Sequence, residues 1–285
     1  MDSLKVTVLT VSFNAAKTIE QTIVSVICQD YPNIEYIVVD GNSTDGTVEI
    51  IKKYERFGVK WISEPDEGIY DAMNKGVHMA TGDYVEIIGA DDALTDSNTI
   101  SRVVSQLNED VDILSGQVWF VDEKTKRQSI YANTNMRDRQ KYRGGMAPHA
   151  AMFVKRELLL RYPFDKKYRI SADYKFFLQC YYDKRARIKY VNDRVAFFSA
   201  YGVSSNDCLC WKEDNCIHRE LGLPFCAPHY TTSSQIKRAL KKALVLMRVF
   251  IPAKKVWTYF NRHFVWKKHT CNNKICRWCG RMGKG

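Results

Sequence analysis

The chain has 285 residues, of which 45% are apolar and 26% charged, a globular composition with enough apolar material for a substantial core. No apolar run reaches the roughly 18–20 residues of a membrane-spanning helix, and the N-terminus lacks the basic, long apolar and small-residue segments of a secretory signal, so a cytosolic protein is expected. Nine scattered cysteines make an odd set for a disulfide framework and read as free thiols in a reducing compartment.

The net charge of +11 is unevenly placed: residues 235–285 hold fourteen Lys or Arg and no acid, whereas residues 1–234 hold 29 basic and 32 acidic side chains. A mildly acidic body with a strongly basic tail points to an anionic partner surface, membrane or nucleic acid.

In chain order, "KVTVLTVS" (5–12) reads as a buried strand and 15–29 as a helix with Ile19, Ile23, Val26 and Ile27 on one side. "NIEYIVVD" (33–40) is a second strand ending on Asp40. A capped helix closed by Gly58 follows, then a strand over 59–64, a helix over 68–82, a strand over 83–89 and a helix over 97–108. A fifth strand spans 111–121. Strands alternating with helices of this length predict an α/β fold with a mostly parallel central sheet flanked by helices. Beyond residue 119 the rhythm changes to a hairpin over 118–133, a short strand and helix over 148–162, and an amphipathic helix over 170–184 with Ser171 as a candidate N-cap. The body is expected to close near residue 225.

In open parallel sheets, ligands bind outside the carboxyl ends of the strands. Asp40 and the pair Asp91-Asp92, in "YVEIIGADDAL", both fall at such ends. Adjacent carboxylates repel, and a hard divalent cation shared with a diphosphate would relieve that repulsion. The plainer alternative is a solvated Asp-Asp turn capping the next helix. Neither G-x-G-x-x-G nor G-x-x-x-x-G-K-[ST] occurs at the first strand, which argues against dinucleotide-binding and ATP-hydrolysing loops.

Three segments in order, "VTVLTVSFNAAKTIEQTIVSVICQDYPNIEYIVVDGNSTDGT", "EPDEGIYDAMNKGVHMATGDYVEIIGADDAL" and "PHAAMFVKRELL…ISADYKFFLQ", resemble the family 2 glycosyltransferases. The similarity covers roughly residues 4–200 and is to bacterial members that build surface polysaccharides. It implies a glycosyltransferase-A fold, a nucleotide-diphosphate sugar donor, a divalent metal (Mn2+ or Mg2+) and transfer with inversion. Residues 1–225 would be the catalytic domain, with a nucleotide-binding half (1–118) and an acceptor half (119–225), followed by a tail over 226–285.

Carried over by position, Thr10, Ser12 and Asn14 match the stretch lining the nucleotide, and Asp40 matches the acid that contacts the base. "GADD" matches the family's Asp-x-Asp region with Gly89 where many relatives have an acid or Asn. Asp91 or Asp92 would hold the metal, and Asp91 would also reach the donor. Asp173 matches the general base on the acceptor hydroxyl, and His149 lies in a segment near acceptor or diphosphate. Asp66 and Lys75 either edge the donor pocket or serve helix capping and an Asp71–Lys75 ion pair.

In the tail, Ile236, Leu240, Ala243, Leu244, Met247 and Ile251 fall along one helical face, with Lys237, Arg238, Lys241 and Arg248 largely off it, up to the breaker Pro252. Trp and other aromatics among basic residues follow. This pattern fits a helix lying on an anionic membrane, beside a lipid-linked acceptor. Packing on the protein's own body is the alternative, and nucleic-acid binding is the second class of reading. His269, Cys271, Cys276 and Cys279 have ligand chemistry for zinc but crowded spacing, and free thiols are the competing reading. The expected function is a peripheral, membrane-associated glycosyltransferase acting on the cytoplasmic side. A non-catalytic binding protein on the same fold is the alternative.

Overall fold

The computed structural model describes residues 4–122, 127–131, 149–183, 186–200, 207–223 and 267–268. The whole expected amphipathic tail segment and the His269–Cys279 cluster lie outside the described residues. No described helix is long and apolar enough to cross a membrane.

The first half alternates strand and helix as its pattern predicts: β1 (Val6–Ser12), α1 (Ile19–Ile27), β2 (Ile34–Asp40), α2 (Thr47–Lys52), β3 (Lys60–Ser63), α3 (Ile69–Met79) and β4 (Tyr84–Gly89). These strands pair in the order β3-β2-β1-β4, all parallel. Every residue of β1 is buried. Its alternating side chains feed two cores, Leu9 and Val11 on the face of α3, and Val6 and Val8 on the face of α1. The register places Ser12 opposite Asp40, and Val11 opposite Gly89. The carboxyl ends of β1, β2 and β4 therefore come out at one rim.

The second half is mixed. After β5 (Ala93–Leu94) and α4 (Thr99–Val104), β6 (Ile113–Asp122) and β7 (Arg127–Tyr131) form the expected hairpin. A short 3-10 turn, His149–Ala151, leads into β8 (Met152–Lys155), which runs antiparallel between β4 and β6. There follow α5 (Arg156–Arg161), α6 (Ala172–Tyr182), β9 (Ile188–Ser199), α7 (Asp207–Glu220) and β10 (Lys267–Lys268). β9 runs parallel to β6 with a register shift near Gln117, while β5 pairs antiparallel with β9 and β10 antiparallel with β7. The sheet is thus parallel through the first half and mixed beyond it. The pattern of β9 is masked by charges on its exposed side, and α7 has a polar surface, so neither stands out in the sequence.

The tightest helix-on-sheet approach is at Gly76, in α3. A Cβ there would lie 2.3 Å from Leu9 Cδ1 and 2.9 Å from its Cγ, and Leu9 is wholly buried. Gly76→Ala gains about 1 kcal/mol of helix propensity but overpacks a closed site, at a cost of about 1–3 kcal/mol. The expected net outcome is a lower urea-unfolding midpoint; an equal or higher midpoint would show that Leu9 moves aside freely.

Candidate active site

A cleft of about 1280 Å³ opens across the strand ends. Ser12, Asn14, Asp66, Asp91, Asp92, His149 and Asp173 all line it. Three other expected site residues do not. Thr10 is wholly buried, with its hydroxyl 3.1 Å from the Tyr36 hydroxyl. Lys75 is held by Glu64 at 2.8 Å and Asp71 at 3.5 Å and donates to the Pro65 carbonyl, which is the helix-pairing alternative. Asp40 is wholly buried and accepts from Ser12 Oγ (2.9 Å), Ser43 N (2.8 Å), Ser43 Oγ (2.6 Å) and Ser63 Oγ (2.8 Å). Its carboxylate ties three strands and a loop together beneath the cleft floor.

The loop after β1 forms one wall of the cleft. Asn14 and Asn42 both adopt positive φ, 48° and 64°, a conformation Asn tolerates better than other side chains. The two loops are laced by Asn14 N to Ser43 Oγ (2.8 Å), Thr44 N to Asn14 Oδ1 (3.0 Å) and Ala16 N to Asp45 Oδ2 (3.0 Å). Phe13 is left 66% exposed at the cleft wall, where its ring can stack a planar base. Sequence reasoning missed it; the available signal is an aromatic residue set among polar ones just past a fully buried strand. Across the loop, Asp66 accepts from Gly68 N at 2.9 Å, and a Cβ on Gly41 would fall on the Asp66 carboxylate.

The acid pair sits on a tight turn. Asp92 N donates to Gly89 O (3.1 Å), Asp92 Oδ1 accepts from Ser199 N (3.0 Å) and Oδ2 from Gly89 N (3.2 Å). A Cβ on Gly89 would stand 2.9 Å from Asp91 Oδ1 and 3.0 Å from Asp92 Oδ2, so glycine gives the two carboxylates room to fold back over the strand end. Asp92 is 3% exposed, and Asp91 is the more open of the two. Burial and then the neighbouring Asp91 charge push the Asp92 carboxyl up to about 8, against the opposing pull of His149 and the two backbone donors. Below it, Glu86 is wholly buried, and burial, aided by the Asp92 charge, raises its carboxyl well above the ordinary range.

Facing the pair, His149 Nδ1 lies 3.5 Å from Asp173 Oδ2 and meets the Phe198 ring edge-on. Burial alone would lower the His149 pKa, but Asp173, Asp92 and Asp91 outweigh it and raise it. Asp173 Oδ1 accepts from the Tyr70 hydroxyl (2.7 Å) and from Tyr174 N (2.9 Å). Burial, then the Asp173 charge, raise the Tyr70 phenol well above its usual value, so it remains a donor. Ser171 occupies the N-cap position of α6 but makes no side-chain capping bond.

Among the described residues no three metal-ligating side chains converge. A cation shared with a diphosphate needs only one or two carboxylates. The desolvated, mutually repelling Asp91-Asp92 pair has the donor chemistry for that role.

The profile of Glycosyl transferase family 2 matches residues 7–163. The chain belongs to glycosyl transferase family 2. It is a glycosyltransferase, and among relatives it is 30% identical to a PGL/p-HBAD biosynthesis glycosyltransferase of Mycobacterium bovis over 208 residues, 68% of this chain and 77% of that one. The fold is similar to the mannosyltransferase PcManGT from Pyrobaculum calidifontis in complex with GDP-Man and Mn2+, with a TM-score of 0.61, 18% identity and coverage of 90% of this chain and 79% of that chain. It is also similar to S. aureus TarS in complex with UDP-GlcNAc, with a TM-score of 0.60, 20% identity and coverage of 76% and 66%. Against a longer TarS chain the match spans 40% of that chain's length. These likenesses identify the glycosyltransferase-A fold.

The raised Asp92 pKa has a sign. From the ordinary aspartate range up to about pH 8 the folded enzyme holds a proton that the unfolded chain has released, so stability falls as pH rises through that window. Asp92→Asn removes the titration. In metal-free buffer its urea midpoint should fall less than wild type between the acid and alkaline ends of the window; parallel declines would show that Asp92 is not the titrating group.

Proposed function

We propose that this glycosyltransferase transfers sugar, with inversion and dependence on a divalent metal, from a nucleotide-diphosphate sugar to a lipid-linked or growing polysaccharide acceptor. The observation that carries the reading is the convergence of Asp91, Asp92, His149 and Asp173 on the cleft that Ser12, Asn14 and Phe13 also line. PcManGT with GDP-Man and Mn2+, and TarS with UDP-GlcNAc, make a nucleotide-sugar donor the natural occupant by analogy.

In this reading Phe13 and Asn14 hold the nucleoside side of the donor, and Asp66 faces it from the α3 loop. Asp91, the more open acid, is the principal metal ligand, and Asp92 supports it with both oxygens steadied by backbone N–H groups. A bound Mn2+ or Mg2+ supplies charge neutralisation for the departing diphosphate. His149, cationic character favoured by the acids around it, adds positive charge between the donor acids and Asp173. Asp173 accepts the proton of the incoming hydroxyl; Tyr70 and Tyr174 N hold Oδ1, leaving Oδ2 turned toward His149. Asp40 and Thr10 act beneath the site by fixing the strand ends, and Lys75 by closing the α3 turn.

The basic tail is proposed to hold the enzyme at the inner face of an anionic membrane, which suits an acceptor carried on lipid. Its charge excess alone supports this; nucleic acid would compete for the same charges.

Two tests address the site and the tail. Asp173→Asn should keep nucleotide binding by thermal shift and lower turnover about 10²–10⁴-fold, whereas Asp91→Ala/Asp92→Ala should lose the Mn2+-dependent part of UDP or GDP binding. Undiminished turnover in the first would remove the base assignment. A chain ending at Ser234 should no longer pellet with anionic liposomes at low salt, and equal pelleting of both forms would remove the membrane role.

A further inference from the structure

We infer that Glu213, on α7, is a positioning residue for the reaction: its buried carboxylate grips the backbone that leads into Asp173 and so sets where the base stands. The inference rests on the reading of Asp173 as that base.

The N-terminus of a helix leaves backbone N–H groups without intrahelical partners, and a side-chain cap normally takes one of them. At α6 the cap residue Ser171 does not do this. Instead Glu213 reaches across from another helix. Its Oε1 accepts from Arg169 N at 2.9 Å, and its Oε2 accepts from Ile170 N and Ser171 N, both at 3.0 Å. Three consecutive N–H groups thus converge on one carboxylate that is 9% exposed. An anion at this end also complements the α6 dipole.

The grip lies immediately before Asp173, and the gripped segment is cleft wall: Tyr168, Arg169 and Ile170 line the same cleft as Asp173. Two further residues of α7 fasten the other side of the base. His218 Nε2 lies 2.7 Å from the Tyr174 hydroxyl, and Glu220 accepts from the Tyr168 hydroxyl at 2.8 Å and from Lys175 Nζ at 2.9 Å. The contacts of α7 therefore bracket residues 168–175, with Asp173 inside the bracket. Tyr70 and His149 orient the carboxylate itself, while α7 fixes the backbone that carries it. Glu213 also lies outside the segment 7–163 that the family profile matches, so this clamp belongs to the chain's own second half.

The test compares Glu213→Gln, Glu213→Ala and Asp173→Asn in the full chain. Each is assayed for nucleotide release from UDP-GlcNAc and GDP-mannose with Mn2+, water being the acceptor, and for thermal shift by UDP and GDP. Glu213→Gln keeps the side-chain shape and one acceptor, so it decides the matter if the alanine variant folds poorly. Both Glu213 variants should lower kcat, the alanine variant by about a hundredfold as expected of a displaced catalytic group, with donor KM and nucleotide shift within about twofold of wild type. Adding Glu213→Gln to Asp173→Asn should cost nothing further. Wild-type kcat in both Glu213 variants, with Asp173→Asn impaired, would overturn the positioning role alone. Parallel changes in kcat, KM and nucleotide shift would also overturn it, showing a general structural contact. Wild-type turnover in Asp173→Asn would instead remove the base reading on which it stands.

Discussion

The site depends on three parallel strands ending at the same level, and the Asp40 carboxylate is the tie that holds them there. It is wholly buried and accepts four hydrogen bonds, from the side chains of β1 and β3 and from the loop after β2. A buried carboxyl group is costly unless its oxygens are satisfied. Here hydroxyl and backbone donors saturate it, so the arrangement is stable only while Ser12, Ser43 and Ser63 stay where they are. That mutual dependence fixes the heights of β1, β2 and β3 relative to one another. Everything above the rim inherits those heights: the loop of Phe13 and Asn14, the loop of Asn42 and Asp45, and the approach of Asp66 to Gly41.

Above this rigid floor, charge is left unresolved on purpose. Two unit charges about 4 Å apart repel by about 4 kcal/mol at an effective dielectric near 20. The chain nevertheless sets Asp91 and Asp92 on adjacent positions, near the wholly buried Glu86, and opens space for both with Gly89. Burial and the neighbouring Asp91 charge push the Asp92 carboxyl up to about 8. His149 then stands between this pair and Asp173, drawn toward the cationic form by acids on both sides. The acid pair, His149 and Asp173 share one electrostatic network, although the acid pair lies more than fifty residues from the other two in the chain.

How much of this was legible in the sequence follows from the range of the interactions. β1 to β4 and their helices read directly, because burial on both faces writes itself as runs such as "VTVLTV" and "YIVV". Strand-end position or resemblance points Asp91, Asp92, Asp173, His149, Asn14 and Ser12 to the site, whereas Asp66 reads equally as a pocket edge or a helix-capping acid. Asp40 was legible as a strand-end acid, but not as a saturated one, since its partners Ser43 and Ser63 come from separate loops. Lys75 carried a local pairing signal, and that local reading describes it. Tyr70 and Phe13 gave only the signal of an aromatic in a polar context. Glu213 gave none: it is one acid in a polar helix, and its three partners lie more than forty residues upstream.

The proposed function divides the site between two parts of the chain. In that reading the donor meets one local unit, the ends of β1, β2 and β4 and their loops. The base must instead meet a hydroxyl whose position varies with the acceptor. In the proposed reading its placement falls to α6, whose Phe176, Phe177 and Leu178 pack in the core shared with Leu9, Val11 and Val39 of the parallel strands. Such a helix needs its own anchor. α7 supplies one through Glu213, His218 and Glu220, all directed at the turn that carries Asp173. On that reading, a change in the α6–α7 contact moves Asp173 relative to the acid pair and to the loops after β1 and β2.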